Sequence, residues 1–210
     1  MNLEALLDEL RSDLQDTGSR PRWNDDLLYL YVKDAVRDYS VWFPRRVDRY
    51  ALSLSGSAYP LPADFVDDIA VEAPKDTFLV RREPTPGKVY NASKQYFISG
   101  GNLYLGEASD EVLLTYFATH PVPTSVDDTA FSFTVPDMDM ELIRLYVSAK
   151  VHEQMRGKQA RLDRFEPGAG RRDDNPLLPE QSSLMQTYYN KIASRVRGGV
   201  VKLYTTGRSR

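Results

Sequence analysis

Two histidines, four Asp-Asp pairs and two Gly-Gly pairs are the residues of this 210-residue chain whose types and spacing could do chemistry. Histidine is the commonest general base and metal ligand. His120 precedes Pro121 at the end of an apolar, strand-like run, and His152 stands beside Glu153 in a helical one. The stretch Val151-His152-Glu153-Gln154-Met155-Arg156 has no second histidine four residues on, so it is not a zinc-protease motif. With no cysteine in the chain, thiolate chemistry, disulfides and cysteine-based zinc sites are excluded. Asp25-Asp26, Asp67-Asp68, Asp127-Asp128 and Asp173-Asp174 offer paired carboxylates. A glycosidase, however, needs its two across a cleft, which adjacency does not supply. They read as helix caps and solvated turns. Gly100-Gly101 is a turn without the Gly-Lys-Ser/Thr of a phosphate loop, and no Gly-x-Ser-x-Gly elbow occurs. The expectation is a protein that is not an enzyme, with no catalytic residues, no metal and no cofactor. Asp64, Asp67, Asp68, His120 and His152 are expected not to meet in one cleft.

Helical periodicity brackets the chain, and strand periodicity fills its middle. Leu3, Leu6, Leu7, Leu10 and Leu14 form one helical stripe, closed by Thr17-Gly18-Ser19-Arg20-Pro21. A second helix starts near Trp23-Asn24-Asp25-Asp26, where Asn24 or Asp25 can cap the first turn. Its stripe is Leu28, Tyr31, Ala35, Tyr39 and Trp42, and Pro44 ends it. Tyr50 to Leu54 then alternates, Gly56 turns the chain, and Tyr59-Pro60-Leu61-Pro62-Ala63-Asp64-Phe65 reads as an extended connection. Ile69 to Ala73 and Thr77 to Arg81 read as short strands, Tyr96 to Leu105 as a hairpin around Gly100-Gly101, and Glu111 to Thr119 as a further strand. Helix returns after Val135-Pro136, capped by Asp137 or Asp139, with Ile143, Tyr146, Val147 and Val151 on one face. Residues 157–179 read as a loop. Met185, Tyr188, Ile192 and Val196 mark a last helix, which Gly198-Gly199 breaks.

The predicted class is therefore α+β, a helical core of two N-terminal and two C-terminal helices with a β-rich insertion and an extended C-terminal arm. The expected boundaries are 1–49 and 136–197 for the two parts of the core, 50–135 for the insertion and 198–210 for the arm. No apolar run approaches the roughly 18 residues of a membrane span, and the acidic, amphipathic N-terminus is unlike a signal peptide. Both point to a protein made and used in a cytosol.

Charge is uneven. Arg195, Arg197, Lys202, Arg208 and Arg210 are five cations with no acid among them, and removing them from the net −3 leaves −8 on residues 1–194. An acidic body argues against coating nucleic acid. A basic tail on an acidic body suits contacts between subunits. In the arm, Gly198 and Gly199 give a hinge, Val200, Val201, Leu203 and Tyr204 give β-propensity and apolar anchors, and Lys202, Arg208 and Arg210 give charge. These nine residues form the expected neighbour-binding site. The thirteen tyrosines suit amphipathic packing or protein interfaces.

Four stretches, in this order, resemble the head-to-tail adaptor (connector, head-completion) proteins of tailed bacteriophages. They are Trp23-Asn24-Asp25-Asp26-Leu27-Leu28 with Asp34-Ala35-Val36-Arg37-Asp38-Tyr39 and Phe43-Pro44; Tyr59-Pro60-Leu61-Pro62-Ala63-Asp64-Phe65; Val112-Leu113-Leu114-Thr115-Tyr116-Phe117-Ala118 leading to His120-Pro121; and Glu141 to Met155. The resemblance implies a structural virion protein at the neck, made in the host cytoplasm. It would form a ring, usually a dodecamer, under the portal protein. It would join the portal to a downstream tail or neck protein and surround double-stranded DNA that passes at ejection without specific binding. A C-terminal arm would reach a neighbouring component, and the portal is the expected one. No membrane and no catalytic residues are implied. The other readings are a different neck, tail-completion or decoration protein, and a cell-wall hydrolase with an Asp/Glu pair.

Overall fold

The computed structural model describes residues 1–19, 21–55, 57–82, 94–107, 109–162 and 177–198, with backbone alone at 156–162, 177–181 and 197–198. The chain is mixed α+β and divides into two compact units. Met1–Trp42 and Pro121–Arg210 make unit 1, and Phe43–His120 makes unit 2.

Unit 1 holds α1 (Leu3–Asp13), α2 (Asp25–Trp42), α3 (Met140–Leu162) and α4 (Leu177–Gly198), with one 3-10 turn at Asp137–Asp139. The Asn2 side chain accepts Ala5 N–H at 2.9 Å and caps α1. Leu3, Leu6, Leu7 and Leu10 are buried as the stripe predicts, while Leu14 falls at the C-cap. Gln15, at φ 53°, makes the left-handed exit expected of Gly18. The Asp16 carboxylate then accepts the backbone N–H of Arg22 (2.6 Å) and Trp23 (3.0 Å) and pairs with Arg11. Burial works against charge on Asp16, but these donors outweigh it and hold its carboxyl below the usual range. Asn24, not Asp25, caps α2, taking Leu27 N–H at 3.1 Å. Leu28, Val32, Ala35, Val36 and Tyr39 are buried, whereas Tyr31 and Trp42 of the expected stripe are half-buried. Helix extends into the expected 157–179 loop from both sides, to Leu162 and from Leu177. Among the described residues no helix is long and apolar enough to cross a membrane.

Unit 2 consists of β1 (Arg45–Leu52), β2 (Tyr59–Pro60), β3 (Phe65–Glu72), β4 (Val80–Arg81), β5 (Gln95–Ser99), β6 (Asn102–Leu105) and β7 (Val112–Ala118). One sheet has the order β1-β7-β3, the other β2-β6-β5-β4, and β4 pairs parallel to β5. Leu52, Val71, Val112, Leu114 and Tyr116 from the first sheet meet Tyr59, Tyr96 and Leu103 from the second in one apolar cluster. Gly100 (φ 56°) and Gly101 (φ 75°) make the two-residue β5–β6 turn, whose positive dihedrals match the twist of the strands. β1 starts at Arg45, ahead of the alternating run from Tyr50. Its first five residues include Arg45, Arg46, Asp48 and Arg49 on a sheet edge, where charge protects unpaired backbone.

Candidate functional site

The residues singled out for chemistry are divided between the two units. Asp64, Asp67, Asp68 and His120 belong to unit 2; Asp25, Asp26, Asp127 and His152 belong to unit 1; Asp173 and Asp174 lie outside the described residues.

In unit 2 Asp64, Asp67, Asp68, Glu72 and Asp76 are each taken by an arginine, and Asp64 and Asp68 by a tyrosine as well. Asp64 accepts from Arg45 and, at 3.1 Å, from the Tyr116 hydroxyl. Burial, with Asp64 adjoining, pushes the Tyr116 phenol up to about 12. Asp67 and Asp68 share Arg81, and Asp68, with a side chain only 4 % exposed, also accepts from Tyr96. Burial and that carboxylate push the Tyr96 phenol up as well. Glu72 takes a two-pronged contact from Arg49 at 3.2 and 3.1 Å, and Asp76 takes a further bond from the same guanidinium. Carboxylates held this way are fixed and charge-compensated. They brace the strands and offer no free general base. His120 Nε2 faces the Phe43 carbonyl oxygen at 2.9 Å. Burial, with help from Arg45, pushes the imidazole below its ordinary value, and the Phe43 contact opposes the shift.

In unit 1 the Asp25-Asp26 pair does converge with Asp127, which adjacency alone did not reveal. An open groove of about 430 Å³ is lined by Glu4, Asp8 and Arg11 of α1, Asp25 and Asp26 of α2, and Asp127. Its five carboxylates stand in water, and Arg11 reaches back to Asp25, Asp16 and the Trp23 carbonyl. The apolar lining residues of the groove are Leu7 and Val126. The described residues contain no group of His, Cys, Asp or Glu able to hold a metal ion.

The helix α4 is held to the other helices of unit 1. Tyr188 donates to Asp38 of α2, Lys191 pairs with Glu141 of α3, and Arg195 pairs with Asp139 and donates to the Met138 carbonyl at 2.8 Å. Asp139 also accepts from Tyr39 of α2. Arg195, counted with the basic tail in the sequence, is thus engaged within unit 1. Gly198 is the last residue of α4. Gly199, Val200, Val201, Lys202, Leu203, Tyr204, Arg208 and Arg210 lie outside the described residues.

The buried tyrosines follow one pattern. Tyr39, Tyr59, Tyr96, Tyr116 and Tyr188 sink their rings and hand the hydroxyl to a carboxylate or, for Tyr59, to the Ser109 carbonyl. Among the described residues the most exposed large apolar side chains are Val41 and Met138 in unit 1 and Phe78 and Val80 in unit 2.

No match was found among curated proteins. The family model described as SU10 adaptor protein matches residues 1–187, through both units and into α4, ending ahead of the arm. The first three helices, the strand section and half of the last helix therefore fall inside one family pattern, and the chain belongs to the SU10 adaptor protein family, a family of phage adaptor proteins.

Proposed function

We propose that this protein is a head-to-tail adaptor that assembles as a ring, twelvefold by analogy with such adaptors, beneath the portal. It would join the portal to the next tail or neck component around the DNA path. The observation that carries this reading is the family match over residues 1–187. Two features support it. Residues 196–210 carry four of the chain's cations and no acid, following a helix that is itself anchored at Tyr188, Lys191 and Arg195. A rigid root with a basic, apolar-rich continuation suits an arm that reaches a neighbour and adds a strand to it. Secondly, the carboxylates of the groove in unit 1 stand in water, and a surface of that sign lets DNA slide rather than stick.

In this reading Gly198 and Gly199 form the hinge. Val200, Val201, Leu203 and Tyr204 supply strand and apolar contacts, and Lys202, Arg208 and Arg210 supply charge against the portal. Deleting residues 198–210 tests it. The truncated protein should keep its helical signal and solubility yet fail to join portal-containing particles. Normal joining by the truncated protein would remove the arm from the mechanism.

A further inference from the structure

Unit 2 is entered at Phe43 and left at His120, so both strands that connect it to the rest of the chain pass one place. The structure ties them together there. Arg45 pairs with Ala118 in the β1–β7 register, Arg45 Nε donates to the Thr119 carbonyl at 3.1 Å, and Thr119 N–H donates to the Asp64 carbonyl at 2.8 Å. Beyond the last ladder pair, His120 Nε2 lies 2.9 Å from the Phe43 carbonyl oxygen. A carbonyl only accepts, so Nε2 carries the proton and donates. The ring is 7 % exposed.

We propose that His120 is a proton-sensitive clasp on the neck of unit 2, closed while its imidazole is neutral and released when it is protonated. In the closed position a second proton would charge a ring that is out of water and near the Arg45 guanidinium. Asp64, the one carboxylate at this end of the sheet bonded to Arg45, is shared between that arginine and Tyr116. Burial and Arg45 already hold the ring below its ordinary value. Released into water, the same ring takes its proton near the unperturbed value of about 6.5. The sign follows from linkage. The closed form is favoured fully above about pH 6.5, and the advantage falls as pH drops below that toward the lower value of the closed form. At pH 5.5 a released imidazole is about ten to one protonated, so the ratio of released to closed forms rises about tenfold between pH 7.5 and 5.5 while the closed ring stays neutral.

Amide hydrogen exchange on the full-length protein tests this. Peptides covering residues 43–47 and 116–120 are compared with the 112–114 end of β7 after correction for intrinsic rates. The wild type should open the neck peptides about tenfold more at pH 5.5 than at 7.5, with the far end of β7 unchanged. His120→Gln keeps an N–H donor but cannot titrate, and should be flat with pH. His120→Ala should be open and equally flat. A wild-type profile as flat as that of His120→Gln, or a rise shared equally by residues 112–114, overturns the proposal. Should either variant fail to fold, the wild-type imidazole titration followed by NMR decides alone. A midpoint below about 6.5 with the proton on Nε2 is expected. A midpoint at or above that value, or a proton on Nδ1, refutes the clasp.

Discussion

Tyr188→Phe removes a single oxygen from the root of the arm and leaves the ring in place. Tyr188 is 0 % exposed, its ring meets Tyr146 edge-on at 5.5 Å, and its hydroxyl donates to Asp38. Phenylalanine keeps the ring contact and the volume, so the loss is that of one buried hydrogen bond to a charged acceptor, about 1.5–3 kcal/mol. Burial and the Asp38 carboxylate push the Tyr188 phenol well above its ordinary value. A group whose value is raised on folding stabilises the fold below its unfolded value, about 10, and loses that contribution as pH rises beyond it. The advantage of tyrosine over phenylalanine should therefore shrink by about 1.4 kcal/mol between pH 9 and pH 11. Every described helix lies in unit 1, so urea unfolding followed by far-ultraviolet circular dichroism at 222 nm reads the unit concerned. Equal stability of the two proteins at pH 7 would show that the Asp38 bond contributes nothing. A difference that stays constant to pH 11 would show that the hydroxyl is not held against a carboxylate.

Asp139→Ala takes the acceptor from the buried Tyr39 hydroxyl and one partner from the part-exposed Arg195, and should cost about 1–3 kcal/mol in the same urea experiment, the range for a buried donor left unsatisfied. Leu10→Ala, at a fully buried position of α1, should cost about 2–5 kcal/mol. Asp48→Ala removes an exposed partner of Arg46 and should change stability by less than about 1 kcal/mol. Gly101→Ala meets no neighbouring atom but forces a Cβ onto a left-handed φ of 75°, so thermal unfolding of the β signal should shift by about 1–2 kcal/mol.

Periodicity made much of the fold legible. The leucine stripe of α1, the Asn24 start of α2 and the Gly100-Gly101 hairpin are local signals, each set by residues within one or two turns of one another. What escaped is non-local. Tyr116 and Asp64 are 52 residues apart, Tyr39 and Asp139 are 100 apart, and Tyr188 and Asp38 are 150 apart, so no spacing rule links them. The tyrosine count was visible, but its use as buried rings with carboxylate partners was not. The start of β1 at Arg45 escaped because a charged edge strand lacks the apolar alternation that marks a half-buried one. The groove escaped for the same non-local reason, since Asp25-Asp26 and Asp127 meet only once α1, α2 and the segment before α3 are packed. Asp139, expected as a cap, instead turns its carboxylate to Tyr39 and Arg195.

The central claim is that the protein joins portal to tail. Adding it to purified portal-containing heads that lack it, and averaging images of the neck, tests that claim most directly. The expected result is a ring of added density immediately below the portal, with residues 198–210 traced onto a portal subunit. Density on the capsid surface, or no added density at saturating protein, would contradict it.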